Sequence, residues 1–95
     1  MIKVIAIMHI KPGTLEEVKP LCSELIALTR QEEGCIQYDL LQSLDDENQL
    51  TFQEDWASAD DLKRHSTSAH FVRIFPQIGA YCDQETQILK YVQML

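Results

Sequence analysis

The segment Gly34–Phe71, GCIQYDLLQSLDDENQLTFQEDWASADDLKRHSTSAHF, changes its period from two to helical. Its first part holds two alternating runs, CIQYDLLQS (Cys35–Ser43) and QLTFQEDW (Gln49–Trp56). The polar LDDEN between them reads as the turn of a hairpin. Period two places Leu50, Phe52, Glu54 and Trp56 on one face of the second strand. SADDLKRH (Ser58–His65) then reads as a short helix capped by Ser58 and Asp61. SAHFVRIFPQIGAYC (Ser68–Cys82) reads as another, capped by Ser68, with Phe71, Ile74, Phe75, Ile78 and Cys82 at helical spacing. Pro76 predicts a kink in it.

Upstream, KVIAIMHI (Lys3–Ile10) is apolar on both alternating faces, which predicts a strand covered on both sides. KPG breaks it. TLEEVKPLCSELIALTRQEEG then reads as a helix whose apolar face is Val18, Leu21, Cys22, Leu25 and Leu28. Thr14 and Glu17 form a capping-box pattern, Gly34 is the C-terminal stop, and Pro20 bends the early turns. Downstream, ETQILKYVQML (Glu85–Leu95) is a fourth strand. The order is β-α-β-β-α-β with the second helical segment split in two. This is an α+β, ferredoxin-like pattern with an antiparallel sheet, read as a single domain over residues 1–95. Its helices cover one sheet face only. The other face, apolar along the first strand, predicts a homodimer with two sheets face to face.

Composition narrows the function. A 95-residue chain buries a modest core, and pairing with a second copy adds to it. A net charge of -7 argues against nucleic acid and against an anionic membrane surface. No apolar run approaches the roughly 18 residues of a spanning helix. The N-terminal stretch alternates into polar sequence, as a first strand does and a signal peptide does not. Cys22, Cys35 and Cys82 are far apart, odd in number and without a CxxC spacing, which predicts reduced thiols in a cytoplasmic protein.

The titratable candidates are few. His9, alone on an apolar strand, reads as a satisfied structural residue. His65 ends a short helix, where a cation interacts well with the dipole. His70 lies in the first turn after Ser68, where the dipole favours a neutral imidazole able to accept a proton. The two are five residues apart, a spacing unsuited to a shared metal on one helix, so no metal is expected. Isolated glycines and the lack of a nucleophile elbow signal no nucleotide cofactor and no serine hydrolase. Glu54, between Phe52 and Trp56 on one face, needs a partner or a raised pKa if that face is covered. Lys63, Arg64 and Arg73 are the candidate partners. Tyr38 and Tyr81 are candidate hydroxyl donors to a cavity.

Residues 34–71 also resemble the antibiotic biosynthesis monooxygenase family, including its small quinol-monooxygenase-like members. The resemblance lies in GC before a Tyr-bearing strand, SLDD, Glu-x-Trp closing the next strand, an acidic-start helix ending in His, and Ser-x-His-Phe. It implies a dimeric ferredoxin-like α/β-barrel. It also implies oxygenation of a small quinol or phenol by O2 without flavin, haem or metal. The implied site is Glu54, Trp56, His65, His70 and Phe71: a histidine exchanges the proton, Trp56 and Phe71 wall the cavity, and Glu54 fixes a partner. Relatives that degrade haem look to need an Asn in the first strand, and VIAIMHI has none. Two alternatives on the same scaffold are an isomerase or processing enzyme for a small phosphorylated or sugar-like signal, and a non-catalytic dimeric ligand-binding module.

Overall fold

The structure, a computed structural model, describes residues 1–95. Its elements are β1 (Ile2–His9), α1 (Leu15–Thr29), β2 (Cys35–Gln42), β3 (Gln49–Trp56), α2 (Ala59–Ser66), α3 (Ala69–Gly79) and β4 (Gln87–Val92). The four strands form one open antiparallel sheet in the order β2-β3-β1-β4, the ferredoxin-like arrangement.

Alternation sorts the sheet residues. Val4, Ala6 and Met8 of β1, Leu50, Phe52 and Trp56 of β3, and Tyr38 of β2 are buried in one cluster. Val18, Cys22 and Leu25 of α1 join them, with Ile74 and Ile78 of α3. The helical apolar stripes are therefore the ones the periodicity predicts. On the opposite sheet face the expected double coverage of β1 is absent within one chain: Ile5 and Ile7 are only half-buried. No helix is long and apolar enough to cross a membrane.

Helix ends decide where the histidines sit. Ser58 Oγ accepts from the Asp61 amide at 3.2 Å and Ser68 Oγ from the Phe71 amide at 3.3 Å, so both α2 and α3 start at the expected caps. The Thr14 capping box does not form. Thr14 stands at φ -106, ψ 3, away from the extended geometry of a cap, and its hydroxyl donates to the Lys11 carbonyl at 2.6 Å. Nor is Gly34 the stop of α1, which ends at Thr29. Gly34 instead turns the chain at φ +83, where a Cβ would lie 2.2 Å from the Asp61 side chain. The helix start of α2 and the turn before β2 thus meet at a position only glycine fits. Both prolines are carried inside continuous helices, Pro20 in α1 and Pro76 in α3. β4 is shorter than the sequence suggests and covers Gln87–Val92.

Candidate active site

Between the buried sheet face and the α2–α3 pair lies a cavity of about 410 Å³. Val4 and Ala6 form its floor, and Ile88 and Lys90 of β4 its edge. Leu62, Phe71 and Phe75 come from the helices, and Glu54 and His65 are its buried polar groups. β4 is the sheet edge next to β1, so the cavity opens where the sheet ends.

Glu54 is 5% exposed and faces Val4 on one side and Tyr38 on the other. Its expected cationic partners are engaged elsewhere or absent. Arg64 pairs with Asp61 and Glu33, Arg73 with Glu24, and Lys63 does not reach it. The carboxyl instead accepts a hydrogen bond from Trp56 Nε1 at 2.9 Å. Burial pushes its pKa up to about 7, against the pull of the Trp56 bond and with a further push from the Glu32 charge.

His65 differs from the helix-end cation the sequence suggests. It is 2% exposed, and its Nδ1 lies 2.6 Å from Glu32 Oε2. A carboxylate accepts only, so Nδ1 carries the proton and Nε2 the lone pair. That Nε2 is buried and has no hydrogen-bond partner. The ring is held between Trp56 at 4.7 Å and Phe71 at 4.8 Å, with Tyr38 at 5.4 Å. Burial holds the His65 pKa below its ordinary value despite the Glu32 bond and charge, so the imidazole is neutral at pH 7.

His70 Nε2 reaches the same Glu32 oxygen at 2.8 Å, and lies 3.3 Å from Ser68 Oγ. Glu32 thus joins two histidines that sequence spacing treats as unrelated. Its position, 33 residues before His65, gives no local signal. The three donor atoms lie within 4.8 Å of one another, so this is the one cluster in the chain that could hold a metal ion, contrary to the spacing argument. The distances from the Glu32 oxygen to the two ring nitrogens are those of ordinary hydrogen bonds.

The remaining candidates separate. Phe71 lines the cavity and stacks on Phe75. Trp56 and Tyr38 stand behind the wall, fully buried, and reach the cavity only through His65 and Glu54. Tyr81 lies away from it, in a groove with Glu17, Pro20, Leu21 and Gln77. Burial raises the thiol of Cys22 to about 12 and that of Cys35 to about 11, so neither is a ready nucleophile. His9 is tied by Nδ1 to Asp83 at 2.7 Å and by Nε2 to Asp46 at 3.0 Å, the satisfied structural residue expected.

The family model described as "Antibiotic biosynthesis monooxygenase" matches residues 1–77. The Bacillus subtilis (strain 168) protein named "Putative monooxygenase YcnE" is 35% identical over 71 residues, covering 75% of each chain. A crystal structure of a conserved protein from Methanosarcina mazei Go1 superposes with a TM-score of 0.96 at 39% identity, over 98% of this chain and 92% of that one. Another, named as an antibiotic biosynthesis monooxygenase, gives 0.95 at 36% identity over the whole of both chains.

Proposed function

The chain belongs to the antibiotic biosynthesis monooxygenase family, and from that premise we propose a cofactor-independent monooxygenase acting on a small quinol or phenol. The carrying observation is His65, which lines the apolar cavity, has its tautomer fixed by Glu32 and keeps an Nε2 that is buried without a partner. A substrate hydroxyl in that cavity gives its proton to Nε2. The resulting phenolate transfers one electron to O2, and the two radicals join at a ring carbon as a peroxide. Cleavage of the O–O bond leaves one oxygen on the ring, and the other departs as water. A hydroquinone plus O2 thus becomes a hydroxyquinone plus water, with all atoms accounted for. Glu54, half protonated near neutrality, supplies a proton to the departing oxygen. His70 steadies Glu32, and the apolar walls keep bulk water from the radical pair.

The working form in this reading is a homodimer that buries the uncovered sheet face. Half-buried Ile5 and Ile7 and exposed Leu41 support it. Light scattering gives the mass. Oxygen uptake by the metal-free protein with a panel of hydroquinones tests the chemistry. Uptake above autoxidation, lost in His65→Ala, is the expected result. Uptake equal to background in both folded proteins would refute the reading.

A further inference from the structure

Beside the cavity runs a second groove of about 490 Å³, between α2 and β4. The two share Leu62, Ser66 and Lys90, so they form one continuous concavity with two ends. Lys63 and Tyr91 complete the outer end. Fifteen acidic residues face eight basic ones in this chain, and most cations find a partner. Lys3, Lys19, Arg30, Arg64 and Arg73 pair with carboxylates, and Lys11 donates to the Ala80 carbonyl. The two cations left without a partner are Lys63 and Lys90, and both border this groove. Both ammoniums are exposed to water, and neither is engaged by a carboxylate of the chain, so an anion entering the groove meets two free cations.

The register supplies the distance. Glu54, Val4 and Lys90 stand opposite one another across β3, β1 and β4. Two strand spacings put the Glu54 and Lys90 backbones about 10 Å apart. One aromatic ring with a substituent bridges that span, its hydroxyl at the His65 end and its substituent at the lysines. We infer that the mouth of the cavity is an anion subsite, in which Lys90 and Lys63 receive a carboxylate carried on the aromatic ring of the substrate. The orientation of the ring rests on the monooxygenase reading above; the anion subsite itself does not.

A carboxylate fits better than a phosphate. The Ser66 hydroxyl donates to the Leu62 carbonyl at 3.0 Å and that of Thr67 to the Lys63 carbonyl at 3.3 Å, so neither is free to donate to an anion. The C-terminal end of α2 adds about half a negative charge, which opposes any anion there.

The test compares 2,5-dihydroxybenzoate with its uncharged amide, 2,5-dihydroxybenzamide. Binding to the full chain is measured by anaerobic calorimetry, so it needs no turnover. Wild type should bind the acid about tenfold more tightly than the amide, the reach of two exposed ion pairs. The gap should shrink with added salt. In Lys63→Gln/Lys90→Gln the two affinities should converge, and Lys63→Gln/Lys90→Arg should restore part of the gap. Equal affinities in wild type, or a gap that survives in the double glutamine variant, would overturn the subsite. So would tighter binding of phenyl phosphate than of benzoate. Oxygen uptake with the same two compounds is scored separately. A gap in binding with no oxidation of either compound refutes the monooxygenase reading and keeps the subsite. Oxidation of both with no gap does the reverse.

Discussion

His9 and His65 each contact a carboxylate, yet the two regions have opposite chemistry. His9 sits at the end of β1, half-buried, with Asp83 on one nitrogen and Asp46 on the other. Both nitrogens donate only if the ring is protonated, and the bond to Asp83 leads the rise of its pKa against a smaller loss from burial. His65 has one carboxylate, one bare nitrogen and almost no solvent. There burial wins, and the ring stays neutral. The first arrangement clasps the β2–β3 turn to the segment before β4. The second keeps a lone pair available beside a cavity. The number of partners and the access of water, more than the presence of an acid nearby, separate a structural histidine from a candidate base.

The largest expected effect tests that contrast directly. His65→Ala should lower oxygen uptake by about 10²- to 10⁴-fold, the usual range for a proton-transfer group. His9→Ala should leave uptake near wild type and change only stability. Equal losses in the two variants would mean that His65 has no special part in proton transfer.

Glu54 gives the next effect, in stability. Its pKa is 4.5 as an ordinary carboxyl and about 7 when folded. A raised folded value means the folded state holds the proton longer. Stability is therefore full below pH 4.5 and falls as pH rises toward 7. The difference amounts to about 3 kcal/mol. Glu54→Gln keeps an acceptor for Trp56 and removes the titration. Its urea unfolding free energy should gain on wild type by that amount between pH 4.5 and 8. A constant difference across that range would show that Glu54 ionises freely when folded.

Glu32→Gln comes third. Both rings reach one Glu32 oxygen, and an amide can turn either its oxygen or its NH2 to that point, so the tautomer of His65 is no longer enforced. Turnover should drop by up to about a hundredfold, as for a misoriented catalytic group. The drop should also be smaller than that of His65→Ala, with the fold retained by circular dichroism. The smallest effect belongs to the clasp. A raised folded pKa at His9 means its contribution is present below pH 6.5 and lost as pH rises through the folded value. In His9→Asn, thermal melts should lose that alkaline decline.

Much of the fold is legible in the sequence because its signals are local. Ser58 and Ser68 cap where their hydroxyls predict, and the alternation of Leu50, Phe52, Glu54 and Trp56 survives as one buried face. Thr14 fails as a cap because its hydroxyl finds the Lys11 carbonyl first, a competition the motif does not encode. Gly34 was visible as a special residue, but its reason, the Asp61 side chain, lies 27 positions away. The site is less legible for the same cause. His65, His70 and Glu54 stand out by type and face, whereas Glu32 joins them only through tertiary packing. Tyr81 has the right chemistry in the wrong place, since the turn after α3 directs it to the groove beside Pro20.

The protonation state of His65 decides whether the cavity has a base. Two-bond proton–nitrogen NMR of the imidazoles, recorded at pH 6 and pH 7, assigns each ring. His65 should be neutral at pH 7 with its proton on Nδ1 and Nε2 bare, while His9 should be doubly protonated at pH 6. A His65 that is protonated at pH 7, or that carries its proton on Nε2, would contradict this and remove the base from the cavity wall.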